Sequence, residues 1–197
     1  MPQGMLQERV EWALRKAGAD FLKLREDGVK PPRIAVNVSP LQLRRRDFNA
    51  DFQKAIEEGK GTRDCLELEI TESLIMENIE ENIPKLRAVR ELGATIAVDD
   101  FGTGYSSLSY IAKLPINALK IDRSFIVEMP NSPDAMSIVQ SIMSLAHSLR
   151  LKVIAEGVDS EDQVKLLRLL RCDEVQGYLY SKPLPPDQTV QYLRKAT

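Results

Sequence analysis

Residues 95–108 read Thr-Ile-Ala-Val-Asp-Asp-Phe-Gly-Thr-Gly-Tyr-Ser-Ser-Leu, TIAVDDFGTGYSSL. A run of strand formers delivers two adjacent carboxylates, Asp99 and Asp100, to the start of a loop punctuated by Gly102 and Gly104. Like charges side by side at a strand end repel unless a cation sits between them.

Five further segments share the same form, an aliphatic or β-branched run ending in a polar residue and followed by a helical pattern. They are Ile34–Ser39, Leu66–Thr71, Ala118–Asp122, Lys152–Val158 and Glu174–Tyr180, with helix-period stretches at 83–92, 135–149 and 160–170 among those between. Strands alternating with helices argue for parallel βα units. The polar strand-end residues are Asn37, Glu69, Asp99, Lys120, Glu156 and Gln176, at gaps of 32, 30, 21, 36 and 20 residues. In a (β/α)8 barrel such ends converge on one face, where active sites sit. A barrel needs eight strands and about 250 residues. The six segments therefore leave two readings: a barrel lacking two N-terminal strands, or an open sheet with 34–39 and 174–180 as edges.

Upstream of the first segment, Leu6, Val10, Ala13, Leu14, Ala17, Phe21 and Leu24 recur at helical spacing, so 5–27 reads as an amphipathic helix ended by Gly28 and Pro31–Pro32. The 197 residues suffice for one sizeable core, and a single domain over 1–197 is expected. A formal charge of −2 lacks the basic excess that accompanies binding to a nucleic-acid duplex or an anionic membrane. No apolar run approaches the roughly 18 residues of a membrane span. Cys65 and Cys172 form no CxxC pair and read as buried small hydrophobes in a reducing compartment, which points to the cytoplasm.

Asn37, Glu69, Asp99, Asp100 and Glu156 form an oxygen-rich set suited to Mg²⁺ or Mn²⁺. His147 is the one histidine, which argues against a zinc site or imidazole catalysis, and it is read on a helix flank. Adjacent aspartates let one carboxylate bridge two metals while its neighbour holds the second, an arrangement suited to in-line attack of water on a phosphate ester. Lys120 is placed to orient that water or to neutralise charge growing on the phosphate. The Arg44–Arg46 run reads as a solvated face. The DFG tripeptide at Asp100–Gly102 lacks the glycine-rich and HRD loops of a protein kinase.

In chain order, NVS (37–39), ELEITES (67–73), DDFGTGYSSL (99–108), LKID (119–122), AEGV (155–158) and QGYLYSKPLP (176–185) resemble the EAL-domain family of cyclic-di-GMP phosphodiesterases. The resemblance implies a TIM-like (β/α)8 barrel and two-metal hydrolysis of cyclic di-GMP to pGpG in bacterial signalling. It matches Asn37, Glu69 and Asp99 to ligands of one metal, and Asp100 with Glu156 to the second. Lys120 and Gln176 match residues at the hydrolytic water. Glu72 matches the glutamate anchoring the loop from Gly102 through Thr103 and Gly104 to Ser107, which the family uses to link dimerisation to activity. Asp122 and Pro183 fall with the substrate and loop residues.

Two departures stand out: the Glu-Ala-Leu motif with its following arginine is absent from the 197 residues, and Asp159 replaces the glutamate of AEGVE. The expectation is therefore an EAL barrel without its first two strands, either an enzyme or a non-catalytic receptor for the dinucleotide. Homodimerisation through open strand edges or exchanged elements is a third role.

Overall fold

The structure is a computed structural model that describes residues 3–31, 33–58, 65–104 and 108–196, with the side chains of 3–11, 108 and 196 left aside. Its elements run α1 (Gln3–Glu26), β1 (Ile34–Asn37), α2 (Pro40–Leu43), α3 (Phe48–Glu58), β2 (Leu66–Thr71), α4 (Glu72–Glu77), α5 (Ile79–Glu91) and β3 (Thr95–Phe101). They continue with α6 (Leu108–Ile111), β4 (Ala118–Ile121), α7 (Arg123–Glu128), α8 (Pro133–Ser148), β5 (Lys152–Ala155), α9 (Glu161–Leu169), β6 (Glu174–Val175) and α10 (Pro186–Ala196). The six strands form one sheet in chain order, β1 to β6, as right-handed βα succession favours. Two compact units divide the chain: residues 1–70, 79–96 and 184–197 in the first, 71–78 and 97–183 in the second.

In the first unit, β1 and β2 pair in parallel with Ile34 opposite Leu66 and Asn37 opposite Glu69. Side chains alternate across a strand, so Leu66, Leu68 and Ile70 share one face of β2 and Glu67 and Glu69 the other. All five are buried. Leu14, Ala17 and Phe21 of α1, Phe48 and Phe52 of α3, and Leu86 and Val89 of α5 supply the unit's apolar core. Full burial of a side chain such as Phe52 contributes about 1.5–3 kcal/mol. Glu67 takes Arg33 Nε at 2.8 Å and accepts from Thr95 Oγ1 at 3.1 Å, which compensates a charge that would be costly alone.

In the second unit, β4 pairs with β3 and β5, and β5 with β6, all in parallel. Strand β4 is buried along its whole length, the pattern of a strand covered on both faces. Ile126 of α7, Val139, Met143 and Ala146 of α8 and Leu167 of α9 belong to its core. Helix α8 starts at Ser132, whose side chain accepts from the Ala135 N–H, and α9 at a capping box formed by Ser160 and Gln163.

Three sequence readings are corrected. The sixth segment is a strand only at Glu174–Val175, because Gly177 turns the chain back against Val158. Cys65 is buried as expected, whereas Cys172 is half-buried, its thiol donating to Glu174 O at 3.1 Å. The Arg44–Arg46 run is not uniformly solvated, since half-buried Arg45 pairs with Asp51 at 3.1 Å. No described helix is long and apolar enough to cross a membrane.

Candidate functional site: an acidic cluster at the strand ends

Adjacent residues of a regular strand point to opposite faces, so Asp99 and Asp100 should diverge. They do not, because β3 carries a bulge. Val98 lies opposite Leu119 and Phe101 opposite Ile121, three steps against two. The extra residue is accommodated by Asp100 at φ 53°, in the left-handed region that aspartate tolerates better than most side chains. Asp99, Asp100 and Glu156 thereby each offer a carboxylate oxygen within 4.8 Å of the others.

Lys120, almost wholly buried on β4, answers the charge. Its Nζ lies 3.2 Å from Asp99 Oδ1 and 2.6 Å from Glu156 Oε1. Burial, followed by the charges of Asp99 and Asp122, pushes the Asp100 carboxyl above its ordinary value, and Lys120 offsets only part of this. Three carboxylates thus gather beside one ammonium, which pairs with Asp99 and Glu156. An all-oxygen donor set of this kind suits a hard divalent cation.

The loop after β3 is tied to α4. Gly102 donates its N–H to Glu72 Oε2 at 2.9 Å, and a Cβ on Gly104 would stand 3.0 Å from Glu72 Oε1. Thr103 Oγ1 donates to Asp100 O at 2.9 Å, closing the turn. Residues 105–107 of this predicted loop lie outside the described residues. Asp122 caps α7 by accepting from the Ser124 N–H at 2.9 Å.

Gln176 and Glu156 line a cavity of about 210 Å³ together with Arg123, Gly157, Asp159, Gly177 and Tyr178. Val158 N–H donates to Gln176 O and Leu179 N–H to Val158 O. A Cβ on Gly177 would come within 2.0 Å of Val158 O, so only glycine permits this approach. Pro183 is exposed in the irregular segment beyond and does not line the cavity. Asn37 and Glu69, in the first unit, sit opposite each other on β1 and β2, with Val38 N–H donating to Glu69 O at 2.9 Å.

Sequence reasoning missed Arg123, Gly157 and Tyr178. The signal available was their position, each within three residues of a strand-end polar residue already singled out.

A parallel α/β fold with clustered carboxylates and a buried lysine at its strand ends defines a class of acidic strand-end sites. The chain belongs to the EAL domain family, whose profile matches residues 2–183. It is 44% identical over 191 residues to the cyclic di-GMP phosphodiesterase NbdA of Pseudomonas aeruginosa, covering 97% of this chain and 24% of that protein. It is 32% identical over 185 residues to the oxygen sensor protein DosP of Escherichia coli, covering 94% of this chain and 23% of that protein. The chain thus spans about a quarter of the length of these curated relatives. Among solved structures, the PaMucR phosphodiesterase in complex with c-di-GMP superposes with a TM-score of 0.88 at 37% identity, covering 94% of this chain and 75% of that one. The EAL domain of Mycobacterium smegmatis DcpA gives 0.87 at 38%, covering 93% and 83%. The fold is therefore the TIM-like α/β type of the EAL structures, here with six parallel strands.

Proposed function

We propose that this chain is a metal-dependent phosphodiesterase that hydrolyses cyclic di-GMP to linear pGpG. The observation that carries the reading is the convergence of Asp99, Asp100 and Glu156 within 4.8 Å around the ammonium of Lys120. The name of NbdA and the c-di-GMP bound by PaMucR support the choice of substrate.

The donor set fits Mg²⁺ or Mn²⁺, since it is made of oxygens and gathers three carboxylates, among which burial and then the charges of Asp99 and Asp122 hold the Asp100 carboxyl above its usual range. The reading assigns metal-ligand roles to Asn37, Glu69, Asp99, Asp100 and Glu156. Two bound ions would supply Lewis-acid activation and a water acidic enough to attack at neutral pH. Lys120 Nζ presents donors that orient this water and neutralise charge developing on the phosphate. Gln176 holds a hydrogen-bonding amide in the cavity wall beside Glu156. Glu72 fixes the start of the loop through Gly102, with Thr103 and Gly104 shaping the turn. Asp122, by capping α7, sets the entry of the helix that follows Lys120. Pro183 borders the substrate in this reading.

Cytoplasmic location and a homodimeric assembly belong to the same proposal, and sedimentation of the purified protein tests the latter. The function is tested by chromatography of cyclic di-GMP incubated with Mn²⁺ and either the native protein or Asp99→Asn. Conversion to pGpG by the native protein and its loss in the variant are expected. Absence of conversion by the native protein contradicts the reading.

A further inference from the structure

Helix α7 follows β4, the strand that carries Lys120, and bears on the loops after both β3 and β5. Towards β3, its Phe125 packs against the turn beyond the bulge. A Cβ on Gly102 would stand 3.0 Å from Phe125 Cε2 and 3.2 Å from Ile142 Cδ1 of α8. Towards β5, the Arg123 stem lies over Gly157, where an added Cβ would come within 2.1 Å of Arg123 Cγ. A further contact is polar. Gln163 of α9, 3% exposed, donates from Nε2 to Ile126 O at 3.3 Å, while its Oε1 accepts the N–H groups of Asp159 and Ser160 at 2.8 and 3.1 Å. One buried amide thus joins the backbone of α7 to the loop just beyond Glu156. Asp100 lies two residues before Gly102 and Glu156 one residue before Gly157, so α7 touches both loops on which these acids stand.

We infer that Phe125 and Gln163 are positioning residues that fix, through α7, the spacing of Asp100 and Glu156 and with it the size of cation the cluster accepts. The inference rests on the proposed metal-dependent function. Strands β3 and β5 flank β4 without pairing to each other, so no ladder of hydrogen bonds sets the distance between their end residues. The strut supplied by α7 does. Mg²⁺ demands oxygens at about 2.0–2.1 Å in a near-ideal octahedron, whereas Ca²⁺ accepts about 2.3–2.6 Å in a flexible shell. A braced cluster therefore favours the smaller ion, and a loosened one loses Mg²⁺ first. Removing the Phe125 ring frees the turn at Gly102. Removing the Gln163 amide leaves Ile126 O and two loop N–H groups without that partner, which makes the loop after Glu156 the part that relaxes.

The experiment measures Mg²⁺ and Ca²⁺ binding to EDTA-stripped protein by calorimetry, with pGpG formation followed separately. Phe125→Ala and Gln163→Ala should weaken Mg²⁺ about 10- to 100-fold and Ca²⁺ by about threefold or less. Phe125→Leu, which keeps apolar bulk, should fall between. Gln163→Glu keeps an acceptor for the loop N–H groups and, ionised, gives Ile126 O no donor, so it should shift the Mg²⁺/Ca²⁺ ratio as Gln163→Ala does. These two variants carry the test if either alanine variant does not fold. Leu86→Ala, a core substitution in the other compact unit, controls for lost stability and should leave the ratio unchanged. Equal weakening of both ions, an unchanged ratio, or a shift in Leu86→Ala as large as in Phe125→Ala overturns the inference and leaves the phosphodiesterase reading intact. The expected shift in a protein that forms no pGpG upholds the inference and sinks the phosphodiesterase. A native protein that binds neither ion sinks both.

Discussion

Lys120 Nζ lies 2.6 Å from Glu156 Oε1, an ammonium carried by β4 and a carboxylate just beyond the end of β5. The same nitrogen reaches Asp99, so one buried cation stabilises two acids. Lys120→Met should cost about 2–3 kcal/mol in urea unfolding with EDTA at neutral pH, less than the roughly 3–5 kcal/mol of a fully buried pair. The discount reflects the residual exposure of Asp99 and Glu156, 14% and 20%. Millimolar Mg²⁺ should recover most of the loss. A variant as stable as the native protein in EDTA would show that the pair is not a net stabiliser.

Glu72 holds the loop after β3 through a charge-assisted bond to Gly102 N–H. Hydrogen bonds to charged groups contribute about 1.5–3 kcal/mol, and Glu72→Ala should lose that much stability. It should also lower kcat by about tenfold with a smaller change in KM, the pattern of a lost positioning interaction. Glu72→Gln keeps an acceptor oxygen and should fall between. Equal kinetics for all three proteins would remove Glu72 from the loop's control.

Asp173 offers a pH-dependent test away from the cluster. Burial raises its carboxyl, but the Val153 N–H, the His147 ring and the charge of Lys152 outweigh this and hold it below the ordinary value. A carboxyl that titrates lower in the folded protein contributes its full stability above the unfolded pKa near 3.9 and loses it as the pH falls through the folded value. Asp173→Asn should therefore be less stable by about 0.5–1 kcal/mol at pH 7, after solvent screening. The gap should close as the pH drops below 4. A gap that is undiminished in strong acid, where the carboxyl is protonated in both states, would mean packing, not charge, is responsible.

Burial pushes the Cys172 thiol up to about 11. Little thiolate exists at pH 7.5, and thiolate is the reactive form. Native protein should react with a disulfide reagent slowly at Cys172 and more slowly still at buried Cys65, with both modified rapidly in urea. Fast native labelling would place Cys172 in a more open setting than the structure gives it.

Strand positions were legible because β-branched runs ending in polar residues repeat along the chain: all six strands start at the expected residue, four end within two residues of the expected bound, and the fifth stops at Ala155. The sixth failed for a tertiary reason: Glu174–Tyr180 has the composition of a strand, but the approach of Gly177 to Val158 diverts it after Val175. A helical pattern was expected after each segment, but helices α2, α3, α4, α6, α7 and α10 had no bounds assigned, most being too short to show a period. The bulge was equally invisible. Nothing local in Ala-Val-Asp-Asp-Phe says that Asp100 takes a left-handed backbone. That conformation depends on the pairing with β4 and on the turn closed by Thr103. Arg123 carries no local signal, because the glycine its stem lies over, Gly157, comes far along the chain.

The proposed function turns on the convergence of Asp99, Asp100 and Glu156 serving metal-dependent chemistry on the dinucleotide. The most direct measurement is the initial rate of pGpG formation from cyclic di-GMP as Mn²⁺ is titrated into EDTA-treated protein. A rate that is zero without metal, rises to saturation and is abolished in Glu156→Gln is the predicted result. Saturating metal with no pGpG, or a rate indifferent to EDTA, would contradict the account.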